Sequence, residues 1–289
     1  MKMDFEKMTD EQQHALNLEY RAKMTIPDAD DYVKRAAERS SAVRNSLQCH
    51  LDVRYGDGPK QTLDVFPATH AGGPVFFYIH GGYWFQLDKD IYSEVASPMV
   101  AAGATTVLPN YDLCPDVTIP DIVDQVRHAL VWVYANIAAY GGDPERIHIS
   151  GHSAGGHLTG MMMTTDWAGQ FGLPQDLIKG SAPISGLFDI KPHRHTNLQP
   201  YIQLTAEAAA TSSPQFLPLH CRGPVICAVG GGETQSFKRQ SREFSEKCQT
   251  SGLESQYVEV AADHHFAVTD RLNDQDDPLT KSIIAQMGL

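Results

Sequence analysis

The sequence predicts an α/β fold: a mostly parallel mixed sheet with helices on both faces and a helical N-terminal extension. Three observations carry this expectation. Short, continuously apolar runs recur at residues 75–79, 105–108, 147–150, 182–185 and 225–229, with strand-like 256–260 after them. Longer amphipathic stretches, such as 122–140 and 237–248, lie between them. Strands apolar on both faces and separated by helices are how a parallel sheet, covered on both sides, is written in sequence. The third observation is a two-strand start: Cys49, Leu51, Val53 and Tyr55 alternate with polar residues as a half-buried strand. A GDGP turn at 56–59 then leads to Leu63 and Val65, which predicts a hairpin.

Before that hairpin the period is helical. Thr9 and Gln12 form a capping box ahead of Leu16, Tyr20 and Met24, a run that Pro27 stops. The acidic cluster at 28–31 starts a second helix through Tyr32, Ala36, Ser40 and Val43. Residues 1–48 thus read as a helical extension or cap, and 49–289 as one unit with no repeat, low-complexity tract or dividing linker.

Composition narrows the function classes. The chain has 289 residues, 42% hydrophobic and 20% charged, enough to bury a core without disulfides or metals. Its net charge is −12 and it has no Lys/Arg-rich run, which argues against nucleic-acid partners and against a polybasic membrane surface. The opening MKMDFEKMTDEQQ lacks an apolar signal segment, and no stretch nears the length of a spanning helix. Five scattered cysteines (Cys49, Cys114, Cys221, Cys227, Cys248) fit reduced thiols and a cytoplasmic protein. The oligomeric state is not written in the sequence, which leaves a homodimer open.

The chemistry begins at Gly151-His152-Ser153-Ala154-Gly155, a G-x-S-x-G between a strand and a helix. A sharp turn there projects the Ser153 hydroxyl as a nucleophile, and side chains at 151 or 155 would collide with their neighbours. His80-Gly81-Gly82-Tyr83-Trp84 follows the strand at 75–79. Amides of Gly81 and Gly82, with that of Ala154, are the expected oxyanion donors. Tyr83, Trp84 and Phe85 are expected either to line an aromatic substrate pocket or to pack the loop.

A triad needs an acid and then a histidine after the serine. Asp263-His264-His265-Phe266 supplies His265 as general base, with His264 as the alternative, because adjacent side chains diverge. Glu233, behind three glycines after the strand at 225–229, is the favoured acid over Asp189; Asp263 is too close in sequence to His265. His193-Arg194-His195 lacks a third ligand at useful spacing and reads as an exposed loop, and Met161–Met163 as core filling. No Gly-Lys, G-x-G-x-x-G or H-E-x-x-H occurs, so no nucleotide, flavin or metal cofactor is expected.

HGGYW, GHSAGGHL, GGETQSFKRQS and the final HHF occur together in this order. From about Cys49 onward the set resembles the α/β-hydrolase superfamily, and within it the kynurenine formamidase (arylformamidase)-like group near the hormone-sensitive-lipase-type esterases. The lead-in LNLEYRAKMTIPDADDY is similar to that of bacterial members. The resemblance implies an α/β-hydrolase fold, an oxyanion hole at Gly81 and Gly82, Ser153 as nucleophile and His265 as base. It also implies Glu233 as the acid, four positions before Phe237. Formamidases more often carry aspartate there, and this chain has glutamate, whose longer arm can do the same work. The implied substrate is a small acylated aromatic amine, an aryl formamide. A short-chain ester is the alternative, a carbamate or thioester a lesser one, and a non-catalytic binding protein the remote one.

Overall fold

A computed structural model describes residues 8–289; most of the acidic N-terminal stretch read above (residues 1–7) lies outside them. Eight strands form one sheet: β1 (His50–Arg54), β2 (Thr62–Phe66), β3 (Gly73–Ile79), β4 (Thr105–Pro109), β5 (Gly142–His152), β6 (Ile178–Ile184), β7 (Val225–Gly230) and β8 (Ser255–Val260). Their order is β1-β2-β4-β3-β5-β6-β7-β8. β1–β2 and β2–β4 pair antiparallel and every later neighbour pairs parallel.

The apolar runs are continuous because both faces are covered. On β3, Val75, Phe77 and Ile79 belong to one core and Phe76 and Tyr78 to the other. The first core is closed by α5 (Ile119–Asn136), through Ile122, Val126, Leu130 and Val133, and by α6 (Ala154–Met163), through Met161–Met163. Helix α7 (Gln235–Thr250) adds Phe237 and Phe244 to that side. The second core is closed by α4 (Ala96–Ala102) and α8 (Pro278–Gln286), through Met99, Ile283 and Ile284.

The hairpin forms, yet its first strand departs from expectation. β1 lies at the sheet edge and is largely exposed, with Leu51 46% accessible, and its register slips between His50 and Val53. The slip leaves Asp52 at φ 54°, its amide on the Asp64 carboxylate. A bulge of this kind re-aims side chains and breaks an alternating burial pattern.

Ahead of the sheet, α1 (Asp10–Tyr20) begins with the expected capping box, Thr9 and Gln12 exchanging bonds at 3.2 and 2.9 Å. The helix breaks at Arg21, before Pro27, and resumes as α2 (Ala22–Thr25). The break lets the Ala22 amide donate to the Tyr83 hydroxyl (2.9 Å), which ties the segment to the loop after β3. Helix α3 (Ala29–Ser46) packs on the turns at 89–95: Ser40 donates to the Ile91 carbonyl at 2.7 Å, and Arg39 bridges Glu94 and Asp270.

Candidate active site

Ser153, Ser185, Glu233 and His265 all follow the C-terminal ends of parallel strands, where α/β sheets place their ligand sites. Ser153 sits between β5 and α6 at φ 59°, ψ −117°, a strained conformation for a residue with a side chain. Its amide donates to the Ile184 carbonyl (2.9 Å), and its carbonyl accepts the first helical bond, from His157 (2.9 Å). The strain persists because the turn is packed on β3. A Cβ at Gly155 would stand 2.0 Å from the Ile79 oxygen, and one at Gly151 2.5 Å from the Gly155 oxygen.

His265 Nε2 lies 2.9 Å from Ser153 Oγ, and His265 Nδ1 lies 2.6 Å from Glu233 Oε2. The second Glu233 oxygen accepts from the Gly230 amide (2.8 Å) and from the Ser185 hydroxyl. Glu233 is three residues past Gly230, so its arm folds back over its own strand end and satisfies both oxygens. All three members are buried, at 4%, 7% and 4% exposure. In such an environment a carboxylate holds one imidazole tautomer and stabilises the imidazolium. Ser185 escaped sequence reasoning: it touches Glu233 only because β6 and β7 are neighbours, and no motif marks it.

The alternatives are occupied elsewhere. His264 Nδ1 accepts from the Phe266 and Ala267 amides, both at 3.2 Å, and so caps the following turn. Asp189 accepts from the Lys191 amide (3.1 Å), and Asp263 is clamped by Arg271 through two bonds of 2.7 Å.

The loop after β3 is held from behind. His80 donates to the Gly81 carbonyl (2.7 Å) and stacks on Tyr111 at 4.2 Å, while burial lowers its pKa to about 4. The Tyr92 ring stacks beside that of His80, with centroids 6.1 Å apart. Gly81 has to be a glycine because a Cβ would meet the His152 oxygen at 2.7 Å. Gly82, at φ 123°, turns the chain where a Cβ would meet the Gln86 oxygen at 1.9 Å. Ala154 is the first residue of α6, where a backbone amide has no helical acceptor.

Trp84 does not line the site. It is fully buried, and its indole N–H donates to His157 Nδ1 (3.1 Å), so the loop-packing reading holds for it. Tyr83 is buried as well, its hydroxyl engaged by Ala22. His193 is likewise fully buried, between Tyr20 and Trp84, which corrects the exposed-loop reading: α1 covers it. Beside the triad instead lies a cavity of about 280 Å³, walled by Ile26, Pro27, Thr234, Phe237 and His264, with Asp28 at its edge. The N-terminal segment supplies one wall. It is pinned there by Thr234 donating to the Glu19 carbonyl (2.7 Å) and by the Ser236 amide on the Glu19 carboxylate (2.8 Å).

Known proteins share this architecture. Kynurenine formamidase of Danio rerio is 31% identical over 94% of this chain and 96% of its own length. The chain belongs to the kynurenine formamidase family of α/β hydrolases. The Salmo salar kynurenine formamidase is 32% identical, over 90% of each chain. BD-FAE is the family that matches residues 63–181. A crystal structure from silicibacter sp. tm1040, described provisionally as a thioesterase, superposes with a TM-score of 0.80 at 30% identity, covering 92% of this chain and 97% of that one. The carboxylesterase EstE1 from a metagenomic library shares the fold, with a TM-score of 0.68 at 18% identity over 90% and 97% of the two chains. Membership makes this chain a hydrolase with the α/β-hydrolase fold. No helix among the described residues is long and apolar enough to cross a membrane.

Proposed function

We propose that the protein is a serine hydrolase that removes the formyl group from an aryl formamide of the N-formylkynurenine type. The observation that carries this reading is the unbroken chain Ser153–His265–Glu233, at 2.9 and 2.6 Å, in a chain 31% identical to a kynurenine formamidase.

Ser153 Oγ attacks the formyl carbon as His265 Nε2 takes its proton. The oxyanion rests on the Gly81, Gly82 and Ala154 amides. His265 then gives the proton to the departing aryl amine, leaving a formyl ester on Ser153. Water, deprotonated by His265, attacks that ester and releases formate, and the proton returns to Ser153. The cavity beside the triad supports an aromatic leaving group: Phe237 and Ile26 offer apolar walls, and its volume of about 280 Å³ suits a small ligand.

The deciding experiment compares kcat/KM for N-formylkynurenine and p-nitrophenyl acetate, with Ser153→Ala as the blank. The expected result is a clear preference for the formamide, abolished in the blank. Ester turnover without formamide turnover would instead favour a short-chain carboxylesterase, a reading supported by the Mycobacterium tuberculosis relative named esterase LipQ, 29% identical over 74% of this chain.

A further inference from the structure

Two peptide groups lead into the loop after β3, and the carbonyl of each is held by a side chain. The His80 carbonyl accepts from the Tyr111 hydroxyl at 2.8 Å, and the Gly81 carbonyl accepts from the His80 ring at 2.7 Å. In a planar trans peptide the N–H points opposite to the C=O, so fixing each carbonyl fixes the aim of the amide that follows. The Tyr111 hydroxyl thereby sets the direction of the Gly81 N–H, and the His80 ring that of the Gly82 N–H. These amides are two of the three donors on which the oxyanion rests.

Tyr111 also steadies the ring that does the second task. The two rings stack with centroids 4.2 Å apart and planes 2° from parallel, and His80 Nε2 lies 3.0 Å from the side-chain amide of Asn110. Both residues stand just past β4, the parallel neighbour of β3. Their segment is anchored away from the loop. The Asn110 amide donates to the Thr62 carbonyl (2.8 Å), the Asn110 carbonyl accepts from the Tyr55 hydroxyl (2.7 Å), and the Asp112 amide donates to Gln125 (2.8 Å). Further along, the Cys114 amide donates to the Trp84 carbonyl (2.9 Å). Residues 110–114 thus bracket the loop from His80 to Trp84. Tyr111 is fully buried, and burial raises its pKa well above the usual phenol range, so it keeps the proton it donates.

We propose that Tyr111 is a positioning residue of the oxyanion hole: its hydroxyl holds the His80 carbonyl and so aims the Gly81 amide at the oxygen that becomes charged. The proposal rests on Ser153 being the nucleophile, and its test separates the two ideas. Tyr111→Phe removes one oxygen and keeps the stack. The readouts are kcat/KM on p-nitrophenyl acetate and the inhibition constants of trifluoroacetophenone and acetophenone. The fluorinated ketone takes the Ser153 oxygen at its carbonyl carbon; the hydroxyl proton passes to His265 and the carbonyl oxygen becomes an oxyanion. Acetophenone is close in shape and remains a ketone. In the variant, kcat/KM should fall by about 5- to 50-fold, less than the ~10²–10³ that deleting an oxyanion donor costs. The inhibition constant of trifluoroacetophenone should rise by a similar factor, and that of acetophenone should stay within about twofold. A folded variant with kcat/KM within about twofold of wild type would overturn the proposal, as would inhibition constants that rise together for both ketones. Wild-type protein no more active and no more inhibited by trifluoroacetophenone than Ser153→Ala would overturn the serine-hydrolase reading itself. Should Tyr111→Phe not fold, Asn110→Ala, which frees the far side of the His80 ring, is read in the same assays under the same criteria.

Discussion

Glu233 meets three hydrogen bonds with two oxygens, and its length is what permits this. One oxygen is spent on the Gly230 amide and the Ser185 hydroxyl, leaving the other for His265. An aspartate at 233 starts from the same backbone with one methylene fewer, so it cannot span both without moving the loop. Glu233→Asp should therefore lower kcat by about 10- to 100-fold with little change in KM. Glu233→Gln keeps the length but loses the charge that stabilises the imidazolium, and should lower kcat by ~10³–10⁴. Steady-state kinetics on either substrate checks the order, and a glutamine variant as active as the wild type would remove Glu233 from the triad. At this scale the sequence is legible where chemistry forces a motif. Ser153 is recognisable because its turn demands glycines on both sides, and His265 because only one of two adjacent histidines can face inward. Ser185 is illegible, since its role arises from the pairing of β6 with β7.

Among the elements, the strands of the parallel sheet are legible because burial on both faces favours an unbroken apolar run. β1 and the break at Arg21 are not. The burial pattern of β1 is set by its place at the sheet edge and by a bulge. The break has neither proline nor glycine and is fixed by the bond from Ala22 to Tyr83. The same tertiary control governs α3. Glu94 is 3% exposed and its pKa is raised by burial, with Arg39 opposing that rise. Removing the arginine strands a buried carboxylate, which is more costly than never having had the pair. Because the arginine is partly exposed, solvent screening trims the effect. Arg39→Ala should cost about 1–3 kcal/mol in urea unfolding, and adding Glu94→Gln should restore part of it. A double variant no more stable than the single one would show that the ion pair is not what holds α3.

For the molecule as a whole, the acidic balance and the absence of metal motifs hide an unusual core content: several histidines buried as neutral rings. His157 is fully buried; its Nε2–H donates to the Ser212 carbonyl (2.7 Å) and its Nδ1 accepts from Trp84 (3.1 Å). Both nitrogens are satisfied only in the neutral tautomer, and burial lowers the pKa from 6.5 to about 4. His193 beside it is lowered to about 3. The unfolded chain protonates these rings near pH 6.5 and the folded one does not, so between about pH 6.5 and 4 the unfolded state holds more protons. Stability must then rise with pH across that window and fall as the solution is acidified, by up to about 1.4 kcal/mol per pH unit for each such ring. The ring at 157 can be isolated. His157→Phe keeps bulk but cannot titrate, so its unfolding free energy should fall less steeply than that of the wild type between pH 6.5 and 4. The lost Trp84 bond lowers the variant's curve at every pH without changing this difference in slope. Urea unfolding at half-unit pH steps measures both curves, and parallel curves would mean that His157 titrates alike in the folded and unfolded chain.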